Sequence, residues 1–342
     1  MATQLSQLPI ATAVSGAGLV FDPSIGGWRV SEDLGPVLTQ RGDTIGRHKK
    51  FLSFTYQRFG FGSIDGIDLK QLQIVNQLSS GTNTYYSQND MRVDFRVDQF
   101  VALGTFGLTD RIDVTLIMPF SIVTLKSQRK SGTLYTVSGA GTTSTTSLSP
   151  LYFPGSASGL GDVTANVKAN VFRSASEKTS IAVGGQVRFP TGDESNYLGT
   201  GAYGFRPYIV ISHRGRITPN ASLAYQWNGS SSLINNDNLP SSLSYSGGVD
   251  VRVVKRLSLS GEFLGQYVIN GPRLASSTVT IPGSTLPTAS QFIGSYAMDN
   301  VSVGFKTNPF GGLFISASAM FKLDDAGLRG KVVPLFGVAY RF

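Results

Sequence analysis

Residues Val163-Thr164-Ala165-Asn166-Val167-Lys168-Ala169-Asn170-Val171 alternate apolar and polar side chains without a break. A period of two puts the valines and alanines on one face of a strand, and Thr164, Asn166, Lys168 and Asn170 on the other. The same period runs through Ile181, Val183, Gly185, Val187 and Phe189, and through Ala221, Leu223, Tyr225 and Trp227. It continues through Leu257, Leu259, Phe263, Tyr267 and Ile269 and through Leu313, Ile315, Ala317, Ala319 and Phe321. Twelve such segments are readable, at about 51–61, 91–107, 109–124, 159–172, 179–189, 203–213, 217–228, 243–254, 257–269, 296–306, 312–322 and 331–342.

The connections alternate in length. Short turns fall at 108–111, 173–178, 212–216, 254–256 and 307–311; long Ser/Thr/Gly/Asn-rich loops fall at 62–90, 125–158, 190–202, 229–242, 270–295 and 323–330. Strands of ten or more residues are long enough to cross a bilayer at a tilt, whereas soluble sandwich strands average five or six. The pattern therefore predicts an all-β, antiparallel, up-and-down transmembrane β-barrel of twelve strands, with short periplasmic turns, long extracellular loops and both termini periplasmic.

Composition agrees. The 342 residues hold 29 Lys and Arg against 21 Asp and Glu, a net charge of +8, yet only 15% are charged and 40 are glycine. Soluble domains carry about a quarter charged residues. No apolar run reaches the roughly 18 residues of a transmembrane helix. The absence of cysteine excludes disulfides and thiolate metal sites. The cations are scattered along strands, not clustered as in a nucleic-acid-binding face.

A lipid-facing Arg or Lys costs roughly 2–4 kcal/mol at mid-bilayer, so the polar parity is assigned to the lumen. Met91, Val93, Phe95 and Val97 are read as lipid-facing, which gives the lumen Arg92, Asp94, Arg96, Asp98, Asp113, Lys168, Arg188, Arg206, Asp250, Arg252, Glu262, Lys306, Lys322 and Arg341. These nine cations and five acids form either a cross-strand ladder or, where unpaired, a preference for anions. The phase slips where Phe100 follows Gln99, and Arg58 shares parity with Leu52, Phe54 and Tyr56. A β-bulge or the end of the bilayer band accounts for either.

The final residues, Val338, Tyr340 and Phe342 in alternation, resemble the C-terminal signal read by the barrel-assembly machinery of Gram-negative bacteria. A second resemblance covers roughly 44–342. The stretch Gly107-Leu108-Thr109-Asp110-Arg111-Ile112-Asp113-Val114 with Pro119-Phe120, then Ser158-Gly159-Leu160-Gly161-Asp162-Val163 and Phe189-Pro190-Thr191-Gly192-Asp193, resembles in order and spacing a family named after the meta-pathway of phenol degradation. Thr44-Ile45-Gly46-Arg47 and Ile64-Asp65-Gly66-Ile67-Asp68-Leu69 resemble further segments of it. The resemblance implies a twelve-stranded outer-membrane, porin-like channel for small molecules, loosely linked to aromatic or hydrophobic compounds. The motifs also read as turn and strand-end chemistry, with Asp favouring tight turns and proline closing a strand, and this structural reading is preferred.

Enzymatic chemistry is not expected. His48 and His213, the only histidines, both fall at the short-turn end, away from the loops that would hold a lipid or peptide. Asp193-Glu194 and the Asn235-Asn236-Asp237-Asn238 run lack the oxygen spacing of a calcium loop. The expectation is no catalytic residue, no cofactor and no metal. Residues 1–46 form an N-terminal segment preceding the 47–342 barrel and hold apolar Leu19, Val20, Phe21 and Trp28, which favours a lumenal plug over a periplasmic tail. The expected function is passive diffusion of a small molecule; the alternative is a barrel that anchors an assembly through its loops or N-terminal segment. Expected partners are outer-membrane lipid and lipopolysaccharide, the assembly machinery and the small-molecule substrate, with a protein partner under the anchoring alternative and no nucleic acid.

Overall fold

The computed structural model describes residues 38–141, 143–232 and 237–342, together with the backbone of 19–22 and 27–30. Twelve antiparallel strands form a closed ring: β1 (Lys50–Ile64), β2 (Asn83–Gly107), β3 (Ile112–Val137), β4 (Thr164–Arg173), β5 (Thr179–Arg188), β6 (Gly204–His213), β7 (Ile217–Asn228), β8 (Ser242–Val254), β9 (Leu257–Ile281), β10 (Ser284–Thr307), β11 (Leu313–Lys322) and β12 (Val332–Arg341). Closure runs through β12 and β1, with Val338 opposite Phe54 and Tyr340 opposite Leu52. Closing the sheet satisfies every edge, the condition for burying strands in lipid.

The five short connections lie at one end, beside the start of β1 and the end of β12. At the other end the structure departs from the expected loops. Much of 62–90, 125–158 and 270–295 is strand: Leu72–Ser80 pairs with the upper half of β2, Thr143–Leu148 and Leu151–Leu160 pair with β3, and β9 and β10 stay paired out to Ile281 and Ser284. Thr, Tyr and Val suit extended backbone even where little is buried. Gly81 and Gly283 close two of these hairpins with φ of 61° and 81°, a region glycine enters without strain. Leu19–Asp22 and Gly27–Val30 form a separate two-stranded pair; the remainder of the proposed plug before residue 38 lies outside the described residues.

The outward face carries a continuous apolar band. Leu52, Phe54, Leu116, Val167, Val183, Ile209, Leu223, Leu259, Val303, Phe336 and Val338 are all exposed, while their neighbours Ser53, Thr55, Thr115, Asn166, Lys168, Ser180, Ser212, Asn220, Ser258 and Ser302 are buried. This apolar-out, polar-in order is that of a transmembrane barrel.

One sector corrects the expected faces. The β1–β2 register runs unbroken from Lys50–Phe106 to Phe61–Phe95, so no bulge separates Phe100 from Asp98. Phe100 and Phe106 are exposed on the outer face, and Arg92, Asp94, Arg96 and Asp98 share their parity. These four point away from the lumen; Val93, Phe95 and Val97 line it. The physical reason is that the lipid band ends at Phe100, above which the outward row meets water and headgroups and no longer needs to be apolar.

Candidate functional site

Residues 38–46 run as a strap into the lumen at the short-turn end, held by backbone groups meeting lumenal side chains, by the ion pairs of Asp43 and by Ile45 packed among Phe51, Leu103 and Ile117. The Glu262 carboxylate accepts the backbone N–H of Leu38 at 2.8 Å and of Thr39 at 2.9 Å. Asp113 accepts the N–H of Ile45 at 3.0 Å. Asn170 Nδ2 donates to the Gly42 carbonyl at 2.8 Å, and Gly42 N–H donates to Ser212 Oγ at 3.0 Å. Lys168 Nζ, with its side chain 2% exposed, donates to the Asp43 carbonyl at 2.5 Å and lies 3.8 Å from Asp113. Asp43 pairs with Arg214 at 2.9 Å and with Arg41 at 3.2 Å. Burial pushes the Asp43 carboxyl up, but the Arg41 and Arg214 guanidiniums outweigh it and hold the group below the usual aspartate range. An irregular strap has many backbone donors and acceptors, each of which needs a partner once buried; the lumenal polar row supplies them.

Above the strap lies a cavity of about 210 Å³. Leu38, Thr39 and Gln40 form part of its lining, so the strap is its floor. One wall is apolar: Phe59, Phe61, Met320, Leu328 and Val333, continuous with Val93, Phe95, Val97 and Val123 and with Tyr197 and Leu198 folded in from the 189–203 connection. The facing wall is polar and basic: Arg188, Arg206, Tyr208, Gln226, Asn228 and the serines of β7 and β8. Glycine makes the room. A Cβ at Gly184 would stand 2.3 Å from the Tyr208 ring, and one at Gly204 would stand 3.2 Å from the Arg188 guanidinium, so both side chains lie across bare backbone. Tyr208 Oη donates to Asn166 at 2.9 Å, and Arg188 to Asn228 at 2.8 Å.

Of the remaining sequence-predicted lumenal residues, Asp113, Lys168 and Glu262 hold the strap, and Arg188 and Arg206 line the cavity. Asp250 and Lys306 are buried on the lumen face, with Lys306 in the field of Asp250 and Glu262. Arg252 sits beside Ser258, and Arg341 beside Phe51 near the short-turn end. Lys322 faces Asn300 at the long-hairpin end and pairs with Asp325. Arg92, Asp94, Arg96 and Asp98 take no part. Val338, Tyr340 and Phe342 are exposed on one outer face. His48 and His213 lie at the short-turn end, His213 Nδ1 sharing a hydrogen bond with Thr179 Oγ1 at 2.9 Å.

Sequence reasoning missed the apolar inner wall and the acids of the motif loops. Carrying the Phe100 parity upward would have found the first. Asp162 accepts Gly192 N–H at 3.0 Å and Thr200 N–H at 2.8 Å, and lies 3.7 Å from Arg188. Asp193 accepts from Ser195 and Asn196, and these hydrogen bonds hold its carboxyl below the ordinary value. The glycine-aspartate motifs thus tie the 189–203 connection to the top of β4.

A family model described as "Putative MetA-pathway of phenol degradation" matches residues 81–277, more than half of the chain. No curated protein matches the sequence. Among solved structures, an outer membrane channel from Pseudomonas putida F1 is similar over 88% of this chain and 97% of its own, at 13% identity and a TM-score of 0.50. The NanC porin is similar over 84% and 98%, at 8% identity and a TM-score of 0.45. The first similarity bears on the fold, a membrane barrel.

Proposed function

This chain belongs to the MetA-pathway of phenol degradation family, and on that premise we propose that it is an outer-membrane channel for passive entry of small amphipathic molecules, with the long hairpins outside the cell and the short turns and termini in the periplasm. The observation that carries the reading is the two-faced cavity. An apolar wall of Phe59, Phe61 and Met320 opposite Arg188, Arg206 and Tyr208 favours a ligand with a hydrocarbon ring and one anionic or hydroxyl group. A cavity of roughly 150 Å³ holds benzene, so 210 Å³ admits a substituted single ring. Binding such a ligand requires no covalent step, and the channel reading assigns no catalytic residue or cofactor. The strap, as floor of the cavity, acts as the gate: passage requires it to shift.

Single-channel recording in planar bilayers tests this, comparing the full chain with a chain lacking residues 1–46. The expected result is small or intermittent current from the full chain, steady current from the shortened one, and blockade by benzoate that exceeds blockade by benzylamine. Replacing Arg188 and Arg206 by Gln is expected to abolish that difference. Silence from both chains in a folded barrel would overturn the channel reading and favour the anchoring one.

A further inference from the structure

The four charges that turned outward are part of a larger cluster on the outer face of β1–β3. The outward row of β1 runs Leu52, Phe54, Tyr56, Arg58; that of β2 runs Phe106, Phe100, Asp98, Arg96, Asp94, Arg92; that of β3 runs Leu116, Met118, Phe120, Ile122, Thr124, Lys126. The registers set Tyr56, Phe100 and Phe120 side by side, Arg58 beside Asp98, and Asp94 beside Lys126. The change from apolar to charged therefore falls at Arg58 and Asp98 on β1 and β2, and two outward positions later on β3, where Ile122 lies beside Asp98 and Lys126 beside Asp94. At about 3.3 Å per residue and a tilt near 40°, the stretch from Asp98 to Arg92 lies about 20–35 Å above Phe106, astride the roughly 25 Å edge of a lipid-facing band. The cluster stands at the headgroup level, directly above Phe100 and Tyr56, whose rings lie 5.0 Å apart.

Its internal pairing leaves an excess of cation. Asp98 receives Tyr56 Oη at 2.6 Å, Arg58 Nε at 2.5 Å and Arg96 Nε at 3.1 Å, while Asp94 receives Arg92 Nε at 3.0 Å. Four cations, with Lys126, meet two acids. Each guanidinium meets its carboxylate through Nε, and the side chains of Arg58, Arg96 and Arg92 remain 49%, 50% and 43% exposed. Arg58 and Arg96 meet different oxygens of the one Asp98 carboxylate, which holds both guanidiniums in place and lowers the ordering cost of a forked contact to phosphate oxygens. The neighbouring surface below is lipid-facing Phe100 and Phe120, so an occupant must carry both acyl chains and phosphate.

We propose that Arg58, Arg92, Arg96 and Lys126 form a site on the outer wall of the barrel for the phosphorylated headgroup of a membrane lipid. The site is independent of the channel reading, since it faces away from the lumen.

The test is native mass spectrometry of the folded full chain in detergent, titrated with bis-phosphorylated lipid A, with phosphatidylcholine and with inorganic phosphate. Lipid A is expected to be retained at least tenfold more than phosphatidylcholine, and phosphate alone is not expected to be retained. An Arg58→Gln/Arg96→Gln/Asp98→Asn variant, which removes the charges without stranding the acid, is expected to lose that preference. Heat-modifiable gel migration reports that each variant is folded; if the triple variant does not fold, Arg92→Gln/Lys126→Gln is expected to weaken retention severalfold. Equal retention of both lipids, retention of inorganic phosphate alone, or undiminished preference in the folded variants would overturn the proposal.

Discussion

Gly42 passes so close to β5 that a Cβ added to it would stand 2.7 Å from the carbonyl oxygen of Ser180. The strap can cross the lumen at this height only with hydrogen at that position, and both backbone groups of Gly42 are spoken for, by Ser212 and Asn170. Gly42→Val is expected to displace the strap while leaving the barrel folded. Heat-modifiable migration should be unchanged, the N-terminal segment should become protease-sensitive, and current in planar bilayers should rise severalfold. Wild-type protease resistance in the variant would sink the gating role.

Acid should loosen the same strap. Asp43 is held below its usual aspartate value, so its ion pairs stabilise the seated strap at neutral pH. A carboxyl depressed in the folded state contributes stability that is present above its unfolded value and is lost as pH falls through the folded one. With an ordinary value of 3.8, release is expected only below about pH 4. Protease sensitivity of the N-terminal segment, followed on lowering pH, checks this; Asp43→Asn should show the loosened behaviour already at neutral pH.

Glu262 carries two strap N–H groups on one buried carboxylate, within the field of Lys306. Leaving a buried donor unmet costs about 1–3 kcal/mol, and stranding a buried cation costs more. Glu262→Ala should release the Leu38–Thr39 end of the strap, while Glu262→Gln, which keeps an acceptor oxygen, should release it less. Hydrogen exchange at Leu38 and Thr39 reads the difference directly, and equal exchange in both variants would show that charge, not hydrogen bonding, seats the strap.

Asp162 fixes the connection that brings Tyr197 and Leu198 onto the apolar wall. Replacing it by Ala removes the acceptor for Gly192 and Thr200 and the counter-charge near Arg188. Amide exchange across 190–202 should accelerate at least tenfold, and the preference for benzoate over benzylamine should rise because Arg188 loses its counter-charge while keeping its bond to Asn228. Unaltered exchange would mean that the bonds of Asp193 to Ser195 and Asn196 hold the turn without Asp162.

The fold was legible because its deciding signal is a period. From Thr164 to Phe342 alternation, turn positions and strand length agree, and a residue such as Lys168 on a polar row could only face inward. The faces of the stretch from Met91 to Asp98 are misread from the sequence for a physical reason. Alternation states that two faces differ; it does not state which solvent each meets, and above Phe100 the outward solvent changes from lipid to water while the parity stays the same. Val93 and Phe95 therefore face the lumen, although identical alternation lower down faces lipid. The Ser/Thr-rich hairpins from 270 to 295 were invisible as strands because neither of their faces is buried enough to impose a contrast. The strap's partners were hidden as well: Glu262, Asp113 and Lys168 were readable as lumenal, but their use by the backbone of 38–45 is set by tertiary position.

Asp43 is seven residues upstream of Lys50, where β1 begins. A strap on so short a tether, once dislodged, remains at a millimolar effective concentration around its own seat. Its return is then a first-order event, with a rate independent of how many barrels the membrane holds and unaffected by dilution. A free peptide copying 38–46 would have to approach that concentration to compete, so a dislodged strap outcompetes any rival for its seat that is present at micromolar levels.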